Sequence, residues 1–129
     1  SWYYEGSYEF QKSFFSKIGE LKSEGEEFEC ACFLDSLPKV KFWIRNLSRR
    51  NESFWLPTST DRFYPDFVAL LNDGRVLVVE YKGADRWSND DSKEKRAIGE
   101  LWAEKSEGNC IFIMPNGPDW NAIESAIQQ

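Results

Sequence analysis

The sequence predicts an α/β domain, a mixed central β-sheet flanked by helices on both faces. Three observations carry that prediction. The runs 66–71 and 75–82 are apolar without strict alternation, so both faces of each strand are expected to be covered. Asn72-Asp73-Gly74 between them is turn chemistry, which makes the two runs a hairpin. A third apolar run, 110–114, follows a stretch of helical spacing, so strands and helices alternate along the chain.

The elements follow in order. In 7–22, Phe10, Phe14, Ile18 and Leu21 recur at helical spacing, which predicts a first helix with Ser7 as its cap. A second helix is expected over about 26–36, with Pro38 beyond its end. Residues 40–44 are β-rich and read as a strand, 48–53 as a polar loop, and 54–56 as a short strand before Pro57. After the hairpin, Ser88-Asn89-Asp90-Asp91 offers caps for a helix through Lys95, Ile98, Leu101, Trp102 and Lys105, which Gly108 ends. Pro115-Asn116-Gly117 closes the strand 110–114. Pro118 opens a last helix bearing Trp120, Ile123 and Ile127. The expected division is one domain over 1–129: a helical extension (1–25), a core (26–114) and a C-terminal helix (115–129).

At 129 residues the chain is one domain, long enough to bury about two-thirds of its unfolded surface. Aromatic residues make up 16% and supply bulk for a core. No apolar run approaches a membrane span, and no leader pattern opens the sequence, so a cytoplasmic, membrane-free protein is expected. The first residue is Ser1, which predicts a piece of a longer protein. Histidine is absent, which excludes His-dependent triads and dyads and His-bearing metal sites. Cys30, Cys32 and Cys110 lack C-x-x-C spacing and are expected as reduced thiols. Net charge is −6, but it is uneven: residues 1–35 hold eight acids against three bases. Lys39, Lys41, Arg45, Arg49 and Arg50 form a run with no acid between them, either a solvated face or a phosphate contact.

The hairpin turn decides where the carboxylates meet. Asn-Asp-Gly suits a type I turn followed by a left-handed glycine, which pairs Leu71 with Arg75. In that register Asp66 lies directly opposite Glu80, Cβ atoms about 5 Å apart, and Lys82 points to the same side as Glu80. A two-residue loop would instead set Asp66 beside Tyr81. Opposed acids repel, and a divalent cation between them offsets the cost. The competing reading is that the two acids sit at wetted strand ends, neutralised by Lys82 or Arg62.

Tyr64-Pro65-Asp66, thirteen further residues, then Glu80-Tyr81-Lys82-Gly83 resembles the PD-(D/E)xK nuclease signature. The closest resemblance is to the C-terminal endonuclease domain of the restriction subunit of type III restriction enzymes, and to nuclease domains appended to superfamily 2 helicases. Trp43-Ile44-Arg45-Asn46 is similar to that family's W-x-R-N strand end. Arg62 to Phe67 resembles its R-x-Y-x-P-D-F approach to the metal strand, and 91–102, with Lys95 and Trp102, resembles its following helix. The similarity spans about 26–114 and implies a restriction-endonuclease-like fold.

The resemblance implies an endodeoxyribonuclease that uses Mg²⁺, with Mn²⁺ as a substitute. It makes Asp66, Glu80 and the Tyr81 carbonyl metal ligands and Lys82 the catalytic lysine. Glu27 is the expected helix glutamate, with Glu26 and Glu29 in competition. Lys95 reaches the same site or is an exposed lysine. Arg45, Asn46, Arg49 and Arg50 are the expected nucleic-acid contacts, a structural role for Asn46 being the alternative. The implied partners are DNA, a helicase or translocase domain in the same full-length chain, and a modification subunit. A non-catalytic module that keeps the fold is the alternative, docking through the basic run and through Trp2, Tyr3 and Tyr4.

Overall fold

The computed structural model describes residues 2–129. The order is α1 (Glu26–Ser36), β1 (Val40–Arg45), β2 (Leu56–Pro57), β3 (Arg62–Phe63), β4 (Phe67–Leu71), β5 (Val76–Val79), α2 (Asp90–Lys105), β6 (Cys110–Ile113) and α3 (Trp120–Ile127). The main sheet runs β1-β4-β5-β6, with a separate β2–β3 pair. β1–β4 and β4–β5 are antiparallel, and β5–β6 is parallel, which makes the sheet mixed.

The apolar runs of β4 and β5 are explained by what covers them. Side chains alternate between faces along a strand. Phe67, Ala69, Leu71, Leu77 and Val79 pack with Cys30, Ala31 and Leu34 of α1 and with Ile123 and Ile127 of α3. Val68, Val76 and Val78 face the other way, toward Ile98 and Trp102 of α2 and Phe63 of β3. Each fully buried apolar side chain contributes about 1.5–3 kcal/mol, so the two-sided cover holds the hairpin in place. Asn89 caps α2 as expected, its side chain accepting from the Ser92 N–H at 2.8 Å.

The helix expected over 7–22 does not form. This segment is extended and bent, and it runs against the outer edge of β1. The Trp43 N–H donates to the Lys12 carbonyl at 2.9 Å, and the Phe14 N–H donates to the Trp43 carbonyl at 2.8 Å. The buried carboxylate of Asp35 accepts from the backbone N–H of Gln11 at 3.0 Å and of Lys12 at 2.7 Å, and from the Trp43 indole at 3.0 Å. The strand expected at 54–56 is displaced to Leu56–Pro57, which pairs with a further short strand at Arg62–Phe63. No helix is long and apolar enough to cross a membrane among the described residues.

Candidate functional site

The site begins with the turn. The Leu71 N–H donates to the Arg75 carbonyl at 2.9 Å, the Gly74 N–H returns to Leu71 at 3.0 Å, and Gly74 takes φ +91°, a conformation that glycine adopts without penalty. Phe67 pairs with Val79, Val68 with Val78, Ala69 with Leu77 and Leu70 with Val76. This is the three-residue-loop register, and one step beyond Phe67 and Val79 it brings Asp66 and Glu80 together.

The two acids are tied crosswise through the main chain. The Asp66 N–H donates to Glu80 Oε1 at 3.1 Å, and the Tyr81 N–H donates to Asp66 Oδ2 at 2.9 Å. Each carboxylate therefore has one oxygen fixed by backbone. The two carboxyls also hydrogen-bond each other, and each meets a cation at long range: Asp66 Oδ1 lies 3.5 Å from Arg45 Nη1, and Glu80 Oε2 lies 3.6 Å from Lys82 Nζ. Glu80 and the Lys82 side chain are both largely withdrawn from solvent.

Burial pushes the Asp66 carboxyl well above its ordinary range, and the adjacent charges of Glu80 and Glu27 add to the shift, while Arg45 opposes it. Burial also raises Glu80, less strongly countered by the positive charges of Lys82 and Lys95. The pair is accordingly short of positive charge, with hard oxygen donors on offer, which is the donor chemistry a divalent cation accepts. Among the described residues no three Cys, Asp or Glu side chains converge as a ligand cluster. A cation here would complete its shell with waters and a backbone carbonyl such as that of Tyr81.

Arg45 has a role that the sequence did not disclose. It leaves the end of β1 and inserts among the acids, 2.5 Å from Glu27 Oε1, while Nη2 donates to the Glu20 carbonyl at 3.1 Å. Its guanidinium lies over the Phe67 ring at 5.2 Å, and its buried Nε has no hydrogen-bond partner among the described residues. Glu27 thus approaches the pair through Arg45. The signal for this was the β1–β4 register, which sets Arg45 across from Phe67, next to Asp66.

Asn46 holds structural contacts. It is buried, its amide donates to the carbonyls of Phe54 and Pro65, each at 2.8 Å, and its oxygen accepts from the Phe54 N–H at 3.0 Å. That side chain is a clamp between two loops. Arg49 and Arg50 stand on the exposed surface, 3.4 Å from Asp61 and 3.4 Å from Glu20 respectively, pairs that contribute little in water. Lys95 pairs with Asp91 at 3.1 Å and lies over the Phe63 ring. Arg62 does not neutralise the acids; it stacks on Trp55.

Beside the acid pair lies an open cleft of about 760 Å³. Glu27, Arg45 and Tyr81 line it, and Arg45 and Tyr81 also contact Asp66. Its rim carries Glu20, Glu24, Glu26 and Asp85 against Lys22 and Arg86, a balance unsuited to tight binding of a polyanion by this cleft alone. Comparison with family models, with curated proteins and with solved structures finds no match to the chain.

Proposed function

We propose that this chain is a Mg²⁺-dependent endodeoxyribonuclease domain of restriction-endonuclease-like fold, the cleavage module of a type III restriction enzyme or a related helicase–nuclease acting in the cytoplasm. The observation that supports it most is the pairing of Asp66 with Glu80 across the hairpin, with Lys82 Nζ 3.6 Å from Glu80. A divalent cation held by the two carboxylates, with Mn²⁺ able to replace Mg²⁺, would supply Lewis-acid polarisation of a phosphate and an activated water.

The chain's own groups do the rest. Asp66 and Glu80 would hold the cation through the carboxylate oxygens not fixed by backbone. Lys82, mostly shielded from solvent, sets an ammonium where negative charge grows on the phosphate, and its field is strongest with water excluded. Arg45 can exchange its contact to Asp66 for a phosphate oxygen, since guanidinium suits both anions. The acid-rich rim leaves DNA affinity to partners: a motor domain in the full-length protein and a modification subunit.

Lys82→Ala is expected to reduce Mg²⁺-dependent nicking of supercoiled plasmid by the full-length protein about 10²-fold or more. Equal nicking by wild type and variant would overturn the nuclease reading. The Arg45 contacts to Glu27 and Asp66 favour a second reading, a non-catalytic docking module in which the acids are neutralised permanently. Calorimetric titration with Mg²⁺ separates the two. Binding that disappears in Asp66→Ala supports the nuclease, and no binding by wild type supports the module.

A further inference from the structure

A second hollow, of about 320 Å³, opens between the loop after β1 and the β2–β3 pair. That volume is at the small end of ligand sites, room for one compact ring system. Arg49, Arg50, Trp55, Arg62 and Tyr64 line it, with Asp61 as the one acid. Three guanidinium groups meet Asp61 within the hollow and Glu20 at its edge, where it pairs with Arg50, which leaves a positive excess on a chain of net charge −6. The Arg62 guanidinium lies over the Trp55 ring at 4.2 Å, and Trp55 remains 39% exposed. Arg49 is held at φ +59°, a left-handed backbone that an arginine adopts at a cost.

The hollow is fixed relative to the acid pair. Asn46 ties the Phe54 carbonyl, next to Trp55, to the Pro65 carbonyl, next to Asp66. Tyr64 precedes Asp66 by two residues, about 7 Å along an extended chain.

We propose that this hollow takes one nucleobase of an unpaired strand, so that the DNA presented to Asp66 and Glu80 is single-stranded or frayed. A base inside a duplex already has both faces stacked and cannot enter. An unpaired base can extend the Trp55–Arg62 stack, because every base has a π-face and both indole and guanidinium planes receive it. The surrounding arginines meet the flanking phosphates without reading sequence. As an assignment of substrate this rests on the nuclease reading, but the binding itself does not require cleavage.

The test is fluorescence anisotropy in EDTA with a labelled oligothymidylate of about a dozen nucleotides and a blunt duplex of equal length. Wild type is expected to bind the single strand at least about tenfold more tightly than the duplex. Trp55→Ala should lose about tenfold on the single strand and change little on the duplex, while Trp55→Phe keeps most of the affinity. Arg62→Ala should weaken the single-strand complex and lower its salt slope by about one phosphate contact. Equal or tighter binding of duplex overturns the proposal. So does a Trp55→Ala variant that binds the single strand like wild type, which would leave the hollow a phosphate contact only. Cleavage lost in Lys82→Ala has no bearing on these readouts, so failure here and failure of the nuclease reading are told apart.

Discussion

Asp66→Asn is expected to abolish Mg²⁺ binding and plasmid nicking while raising the melting temperature of the metal-free protein at about pH 8 by several degrees. The two effects share one cause. Burial and the Glu80 charge raise the Asp66 carboxyl, so between the ordinary carboxylate range near about pH 4 and the raised one the folded chain binds more protons than the unfolded chain. Where the native state binds more protons, stability falls as pH rises. The wild-type protein should therefore lose stability as pH climbs from the ordinary carboxylate range through the elevated range of the pair. Asparagine carries its amide hydrogens at every pH, so the variant should show a flatter profile of melting temperature against pH. A cation competes with protons for these carboxylates, so wild-type affinity for Mg²⁺ should rise over the same interval. Melting curves at about pH 5 and about pH 8, with and without Mg²⁺, read all of this. A variant that is less stable than wild type at the higher pH would show that Asp66 is stabilised as an anion by Arg45.

Asp35→Ala is expected to cost about 3 kcal/mol or more, a large part of the stability of an ordinary domain. Asp35 is 5% exposed and sits at the end of α1. Besides Gln11, Lys12 and the Trp43 indole, its carboxylate accepts from the Tyr8 hydroxyl at 3.3 Å. Truncation leaves two backbone donors and an indole N–H without their acceptor, each costing about 1–3 kcal/mol where water cannot replace it. Segment 2–25 then loses its main polar anchor, although Lys12 Nζ still donates to the carbonyls of Leu37 and Val40. Limited proteolysis should cut first within 5–22 in the variant, and urea melts should shift to lower midpoint. Unchanged melting and cleavage would show that aromatic packing alone, such as Phe10 against Trp43 at 5.2 Å between ring centres, holds the segment.

How much of this was legible in the sequence follows from the range of the forces involved. The hairpin register was readable because a local feature, Asn72-Asp73-Gly74, sets it, and every pairing along the two strands then follows. The N-terminus of α2 was readable for the same reason, since Asn89 caps its own helix. Residues 7–22 misled because their apolar spacing imitates a helix, although serine and aromatic residues favour it only weakly. Phe14 is in fact 60% exposed, while Ile18 and Leu21 are buried, and the segment takes its shape from Asp35 and the edge of β1. Arg45 depends on Glu27, Glu20 and Asp66, 18 to 25 residues distant, and Asn46 on Pro65, 19 residues distant, as well as on Phe54, and no local pattern discloses partners that meet only after the sheet has formed.

The crosswise tie of Asp66 and Glu80 has a consequence for substitution. The donors that aim both carboxylates are peptide groups, which every residue except proline carries. The aim of the acids therefore does not depend on the Tyr81 ring, which packs beside Trp120 at 6.0 Å between ring centres, and an exchange of that ring would leave the acids pointing where they do. The lining of the cleft beside the acids can change at this position while the carboxylates themselves stay still.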